Sequence, residues 1–192
     1  MTKYLCVIPE CYVETSMAKA LLDASVNHQY GCGSVTNKMT DRNNRLSDSF
    51  AIGLIDDDKK KSSYSRESIL LAEVPIVNSE GHVMEAGFSL LKHDESKHYF
   101  IVTKPAMEKM ILSAAKQYNI KMSDFQLPDE FEKLKAITKN IQTGEDYRFI
   151  HLFKVLSDIE GSPLNKVKKA IKYMVNNPYN IDDNLLIQIL TE

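Results

Sequence analysis

The stretch Phe50 to Lys61, FAIGLIDDDKKK, constrains this chain more than any other. Phe50 to Ile55 has the length and apolar content of a strand buried on both faces, as in a parallel sheet covered by helices. The strand ends in Asp56, Asp57 and Asp58. Open α/β sheets bind ligands at the carboxyl ends of their strands, so carboxylates there are expected in a crevice rather than a core. Side chains alternate along extended backbone, which puts Asp56 and Asp58 on one side and Asp57 on the other. Two converging carboxylates form a hard oxygen site suited to Mg²⁺ or Mn²⁺. A solvated acidic turn is the plainer alternative for the same triplet.

A strand buried on both faces needs neighbours, and the preceding sequence supplies them. Tyr4 to Pro9, YLCVIP, reads as a first strand ending at Glu10. From Glu14 or Thr15 the apolar residues Met17, Ala20, Leu21 and Ala24 follow a helical repeat, with Thr15 or Ser16 as its cap. Ser25 to Tyr30 is a short strand, and Gly31 to Ser34 (GCGS) permits a tight turn or close approach by a phosphate. Val35 to Arg45 forms a modest helix exposing Lys38, Arg42 and Arg45. The result is a βαβαβ pattern with a mainly parallel sheet. Glu10 then meets Asp56 and Asp58 at one sheet edge.

Beyond the triplet, Lys59 to Arg66 is a charged loop, and Glu67 to Val77 is open between helix and strand. Phe88 to Lys92 and His98 to Thr103 pair through the turn HDESK. Pro105 begins a helix with Glu108 in its first turn. Four helical stretches follow, Pro128 to Lys139, Glu145 to Ile159, Pro163 to Asn176 and Asp182 to Leu190. The expected organisation is an α/β domain over 1–119 and a helical extension over 120–192 packed on it, with helices on both faces of a Rossmann-like sheet. Lys166 and Lys169 share a helical face, open between solvation and a phosphate contact.

Composition narrows the partners. A net charge of −2 gives no whole-chain reason to expect nucleic acid, although a local basic strip beside an acidic metal site remains compatible with it. Three cysteines, Cys6, Cys11 and Cys32, without CxxC spacing, indicate neither a disulfide framework nor a zinc ribbon. With no long apolar run and no secretory pattern at its start, the chain is expected in the cytoplasm, with no membrane partner.

Glu10-Cys11-Tyr12-Val13-Glu14-Thr15 after an apolar strand, then a helix, a glycine loop and Ile-Gly-Leu-Ile-Asp56-Asp57-Asp58, resembles the TOPRIM domain of topoisomerases, primases and OLD-family nucleases, the OLD-like branch in particular. The resemblance spans roughly Tyr4 to Leu112. It implies Glu10, Asp56 and Asp58 as metal ligands, with Glu14 and Glu108 completing or supporting a second metal position. It also implies Gly31, Gly33 and Ser34 as the glycine loop and a downstream lysine, Lys166 or Lys169, against the phosphate. The implied function is a Mg²⁺- or Mn²⁺-dependent nuclease or other phosphodiester-processing enzyme acting on DNA. Cys11 stands where the family has glycine. No GxxxxGK[ST] motif occurs, so any ATPase is a separate protein partner. Two other readings stay open: a non-catalytic subunit of a defence or repair assembly on the same scaffold, and a small-molecule phosphotransferase or phosphohydrolase.

Overall fold

The computed structural model describes residues 3–45, 49–57, 63–78, 80–141 and 144–192. In chain order the first half comprises β1 (Lys3–Tyr4), β2 (Val7–Pro9), α1 (Tyr12–Leu22), β3 (Ser25–Val26), α2 (Cys32–Arg45) and β4 (Ala51–Asp56). Then come α3 (Ser63–Arg66), β5 (Ser68–Val77), β6 (Val83–His93), β7 (His98–Lys104) and α4 (Met107–Gln117). A short 3-10 turn (Met122–Phe125) leads to α5 (Phe131–Asn140), α6 (Tyr147–Asp158), α7 (Pro163–Asn176) and α8 (Asp183–Thr191).

The chain is α/β, built on a five-stranded sheet in the order β2-β4-β7-β6-β5. β2 and β7 both pair parallel to β4, whereas β6 is antiparallel to β7 and to β5. The expectation of a mainly parallel sheet is therefore corrected to a mixed one. The physical reason is the connection between β6 and β7: a short turn such as Asp94 to Lys97 joins only antiparallel neighbours, since a parallel return needs a crossover of a dozen or more residues. The segment 67–77, open in the sequence, is mostly the edge strand β5. β1 and β3 form a separate parallel pair. Past β3 the chain runs beside β2, where Asn27 N–H donates to Val7 O at 3.0 Å and Gln29 N–H to Pro9 O at 2.9 Å.

β4 is buried from Ala51 to Ile55, as its apolar run requires. Its alternation divides the core. Ile52 and Leu54 face a large cluster with α1, α4, α6, α7 and α8, while Ala51 and Ile55 face a smaller one with Val35 and Met39 of α2 and with Phe100 and Val102 of β7. Helices thus cover both faces, unevenly. Gly53 is the position that lets the smaller cluster close. A methyl group built there would lie 2.8 Å from Phe100 Cδ1 and 3.1 Å from Met39 Sδ.

The later helices start where capping chemistry starts them. Asp146, Ser162 and Asp182 each accept a backbone N–H of their own first turn, and Pro163 occupies the first turn of α7. The Lys104–Pro105 bond is cis, and α4 begins at Met107, two residues later than the sequence suggests. α1 begins earlier than expected: Cys11, not Thr15 or Ser16, is its N-cap. Phe149, Leu152, Leu156 and Ile171, from the stretch 120–192, belong to the same buried cluster as Val13, Met17 and Leu54. Burying each such side chain contributes about 1.5–3 kcal/mol, so sheet and helical stretch depend on one core. Among the described residues no helix is long and apolar enough to cross a membrane.

Candidate functional site

The parallel half of the sheet directs several chain segments to one edge. β2 ends into Glu10, β4 ends at Asp56, and β7 ends just before α4. Backbone hydrogen bonds fix this edge: Glu10 N–H donates to Leu54 O at 3.0 Å and Asp57 N–H to Thr103 O at 2.9 Å. A pocket of about 400 Å³ opens there, lined by Glu10, Asp56 and Glu108 together with Cys11, Tyr12, Tyr30, Gly31, Thr138 and Lys139, among others.

Each carboxylate has its own support. Glu10 Oε1 accepts the Cys32 N–H at 2.9 Å and Oε2 accepts the Asp56 N–H at 3.3 Å, so Glu10 ties the start of α2 to the end of β4. Glu14, fully buried in the first turn of α1, accepts the Cys11 N–H at 2.8 Å through Oε2, as a capping glutamate does. Glu108 accepts the Thr138 hydroxyl at 2.5 Å and favours the N-terminus of α4 by its charge. Asp56 shares β4's Ile52–Leu54 face, the one that carries α1 and α4.

The crowding perturbs protonation. Burial, then the Glu10 and Glu108 carboxylates, push Asp56 up to about 7, with the Met107 N–H working against them. Burial also raises Glu14 well above the ordinary carboxylate range, helped by Asp56 and Glu10. Carboxylates gathered this closely persist either partly protonated or with a cation among them. Cys11 is pushed upward by burial and by Glu14, which makes it a neutral thiol and a poor nucleophile.

The donor set suits a hard cation in its chemistry. Every candidate ligand is a carboxylate oxygen, and Asp56 Oδ1 and Glu14 Oε1 are buried without a hydrogen bond. In the geometry described, no group of three or more His, Cys, Asp or Glu side chains among the described residues is arranged to hold a metal ion. Glu10 explains part of this, because both its oxygens are turned to backbone N–H groups.

The remaining sequence candidates divide. Asp58 lies outside the described residues. Gly31, with φ +79°, lines the pocket and donates its N–H to Glu10 O at 3.2 Å, which gives that glycine a backbone reason to be there. Gly33 and Ser34 do not belong to a loop. They lie in the first turn of α2 and are not among the pocket-lining residues. Lys166 and Lys169 both sit on α7 and are not among the pocket-lining residues. Lys166 Nζ donates to Thr191 O at 3.2 Å and Lys169 Nζ pairs with Glu160 Oε1 at 2.5 Å. Helical spacing shows that two residues share a face but not what that face meets. Among the described pocket-lining residues the cation is Lys139 of α5. The sequence reading also passed over Tyr12, Tyr30 and Thr138. Only the adjacency of Tyr12 to the Glu10 turn and of Tyr30 to Gly31 signalled the two tyrosines. No protein-family model, no curated protein and no solved structure matches this chain.

Proposed function

We propose that the carboxylate pocket is a divalent-cation site for phosphodiester chemistry on DNA, in a TOPRIM-like arrangement. The observation that carries this reading is the meeting of Glu10, Asp56 and Glu108 in one pocket at the carboxyl edge of parallel strands, with two buried carboxylate oxygens left without hydrogen bonds. Asp56 and Glu10 would hold Mg²⁺ or Mn²⁺, with Glu108 and the buried Glu14 supporting a second position. A cation bound there supplies Lewis-acid polarisation of a phosphoryl oxygen and offsets carboxylate repulsion. Lys139 presents positive charge to a phosphate entering the pocket. Without a cation Asp56 is pushed up to about 7, so a cation held by its carboxylate would displace a proton near neutral pH. Thr138 keeps Glu108 oriented by donating to it.

The test pairs calorimetry with plasmid DNA cleavage in Mg²⁺ and Mn²⁺, on the wild type and on Asp56→Ala. Metal binding and cleavage that both disappear in the variant support the reading. Cleavage that survives in Asp56→Ala refutes it. A second reading, a non-catalytic interaction subunit on the same scaffold, is favoured by the lack of any preformed metal group among the described residues. A well-folded chain that binds neither cation at millimolar concentration selects that reading.

A further inference from the structure

The rim of the carboxylate pocket carries aromatic rings that the proposed chemistry does not use. Tyr12 lies flat on His28, with ring centroids 4.3 Å apart and planes 11° from parallel. Tyr30 stands edge-on to both, 5.5 Å from Tyr12 and 4.6 Å from His28. The Tyr12 and Tyr30 hydroxyls hydrogen-bond to each other. Thr15 Oγ1 and His28 Nδ1 are 2.8 Å apart, and burial lowers the His28 pKa and keeps its ring neutral. The rings are therefore braced from three segments: the first turn of α1, the extended chain beside β2, and the bend before α2.

Tyr30 is nevertheless 68% exposed while lining the same pocket as Asp56 and Glu108. A single exposed apolar side chain needs no explanation. A ring held by two others in the wall of a pocket of about 400 Å³ presents a rigid flat surface at little entropic cost. The complementary ligand is a planar group carried next to a phosphodiester, a nucleobase. In a duplex each base is already stacked on both faces, so only an unpaired base offers one to Tyr30. Charge points the same way. Duplex binding depends on many lysine and arginine contacts to phosphates, whereas this pocket has Lys139 as its one cation among the described lining residues and the chain carries −2 overall. Single-strand binding draws much of its affinity from stacking instead.

We propose that Tyr30, braced by Tyr12 and His28, stacks an unpaired nucleobase, and that the pocket takes single-stranded nucleic acid in preference to duplex. This rests on the phosphodiester reading of the pocket. Tyr30 is then a specificity-determining residue outside the carboxylate cluster.

The test uses the full chain and an oligonucleotide of roughly ten nucleotides carrying 2-aminopurine, a length within the site sizes of single-strand grooves. The chain contains no tryptophan to overlap the probe signal. Binding is followed in EDTA, where no cation-dependent cleavage competes, and again in Mg²⁺. Wild type quenches the probe and binds the single strand more tightly than the matching duplex. Tyr30→Ala weakens single-strand binding about 5- to 150-fold, the range for loss of one stacking contact. Tyr30→Phe, which keeps the ring, stays close to wild type. Unchanged affinity in Tyr30→Ala overturns the inference, as does tighter binding of duplex, or binding of a mononucleotide without the oligonucleotide. Single-strand binding through Tyr30 without any Mg²⁺-dependent cleavage leaves this inference standing and removes the proposed chemistry. Asp56-dependent cleavage that is equal on duplex and indifferent to Tyr30→Ala does the reverse.

Discussion

Replacing Asp56 by asparagine isolates the cost of the carboxylate cluster. The folded state raises this group from its ordinary 3.8 to about 7. Below pH 4 the carboxyl is protonated in the folded and unfolded chains alike. Between about 4 and 7 the folded protein keeps a proton that the unfolded chain has released, so stability falls as pH rises through that window. Above 7 the full cost applies, roughly three pH units at about 1.36 kcal/mol each, or about 4 kcal/mol. Asparagine keeps the shape and cannot ionise. In urea titrations with EDTA, the stability of Asp56→Asn minus that of wild type should therefore widen by about 3 kcal/mol between pH 5 and pH 8, two pH units of the window. Glu14 is raised in part by Asp56, so removing that charge also eases the ionisation of Glu14 and widens the gap in the same direction. Added Mg²⁺ should restore wild type at pH 8 and leave the variant unmoved, because only a ligand held by the folded state stabilises it. A gap that is the same at pH 5 and pH 8 would show that neither burial nor neighbouring carboxylates control Asp56, and the account of the pocket would fall with it.

Lys139→Ala should lower Mg²⁺-dependent cleavage about 10- to 100-fold, the loss of one charge-assisted contact to phosphate, while Lys166→Ala and Lys169→Ala stay near wild type in the same assay. Equal losses at all three would return the phosphate contact to α7. Gly53→Ala should destabilise the fold by about 1–3 kcal/mol in urea, since its methyl group meets the Phe100 ring and Met39 in a closed cluster. A neutral result would mean that the smaller core has room the structure does not show.

The legible parts of this chain were those fixed by local rules. An apolar run such as Phe50 to Ile55 has one good solution, a strand covered on both sides, and a parallel pairing then carries Glu10 to Asp56 without further information. Glu108 followed because it opens the helix after β7. What escaped the sequence depended on distant placement. β5 alternates imperfectly, with Glu73 and Pro75 inside it and irregular register against β6, so its pattern did not identify a strand. The choice of α5 over α7 as the lysine-bearing wall depends on how helices pack, which periodicity within one helix does not encode. The ring cluster joins Tyr12, His28 and Tyr30 from separate segments, and no spacing rule links them. Cys11 as a helix cap was hidden because the bond that secures this end comes from Glu14 reaching back to the Cys11 N–H.

The pocket's positive wall has an unusual footing. α5 carries Thr138 and Lys139, yet of its residues only Leu134 is fully buried, and it leans chiefly on α4. Elements with so little apolar anchorage open at a small fraction of the global unfolding free energy. The Glu108–Thr138 hydrogen bond ties the first turn of α4 to the last turn of α5, and so joins the acidic edge of the pocket to the helix that carries Lys139.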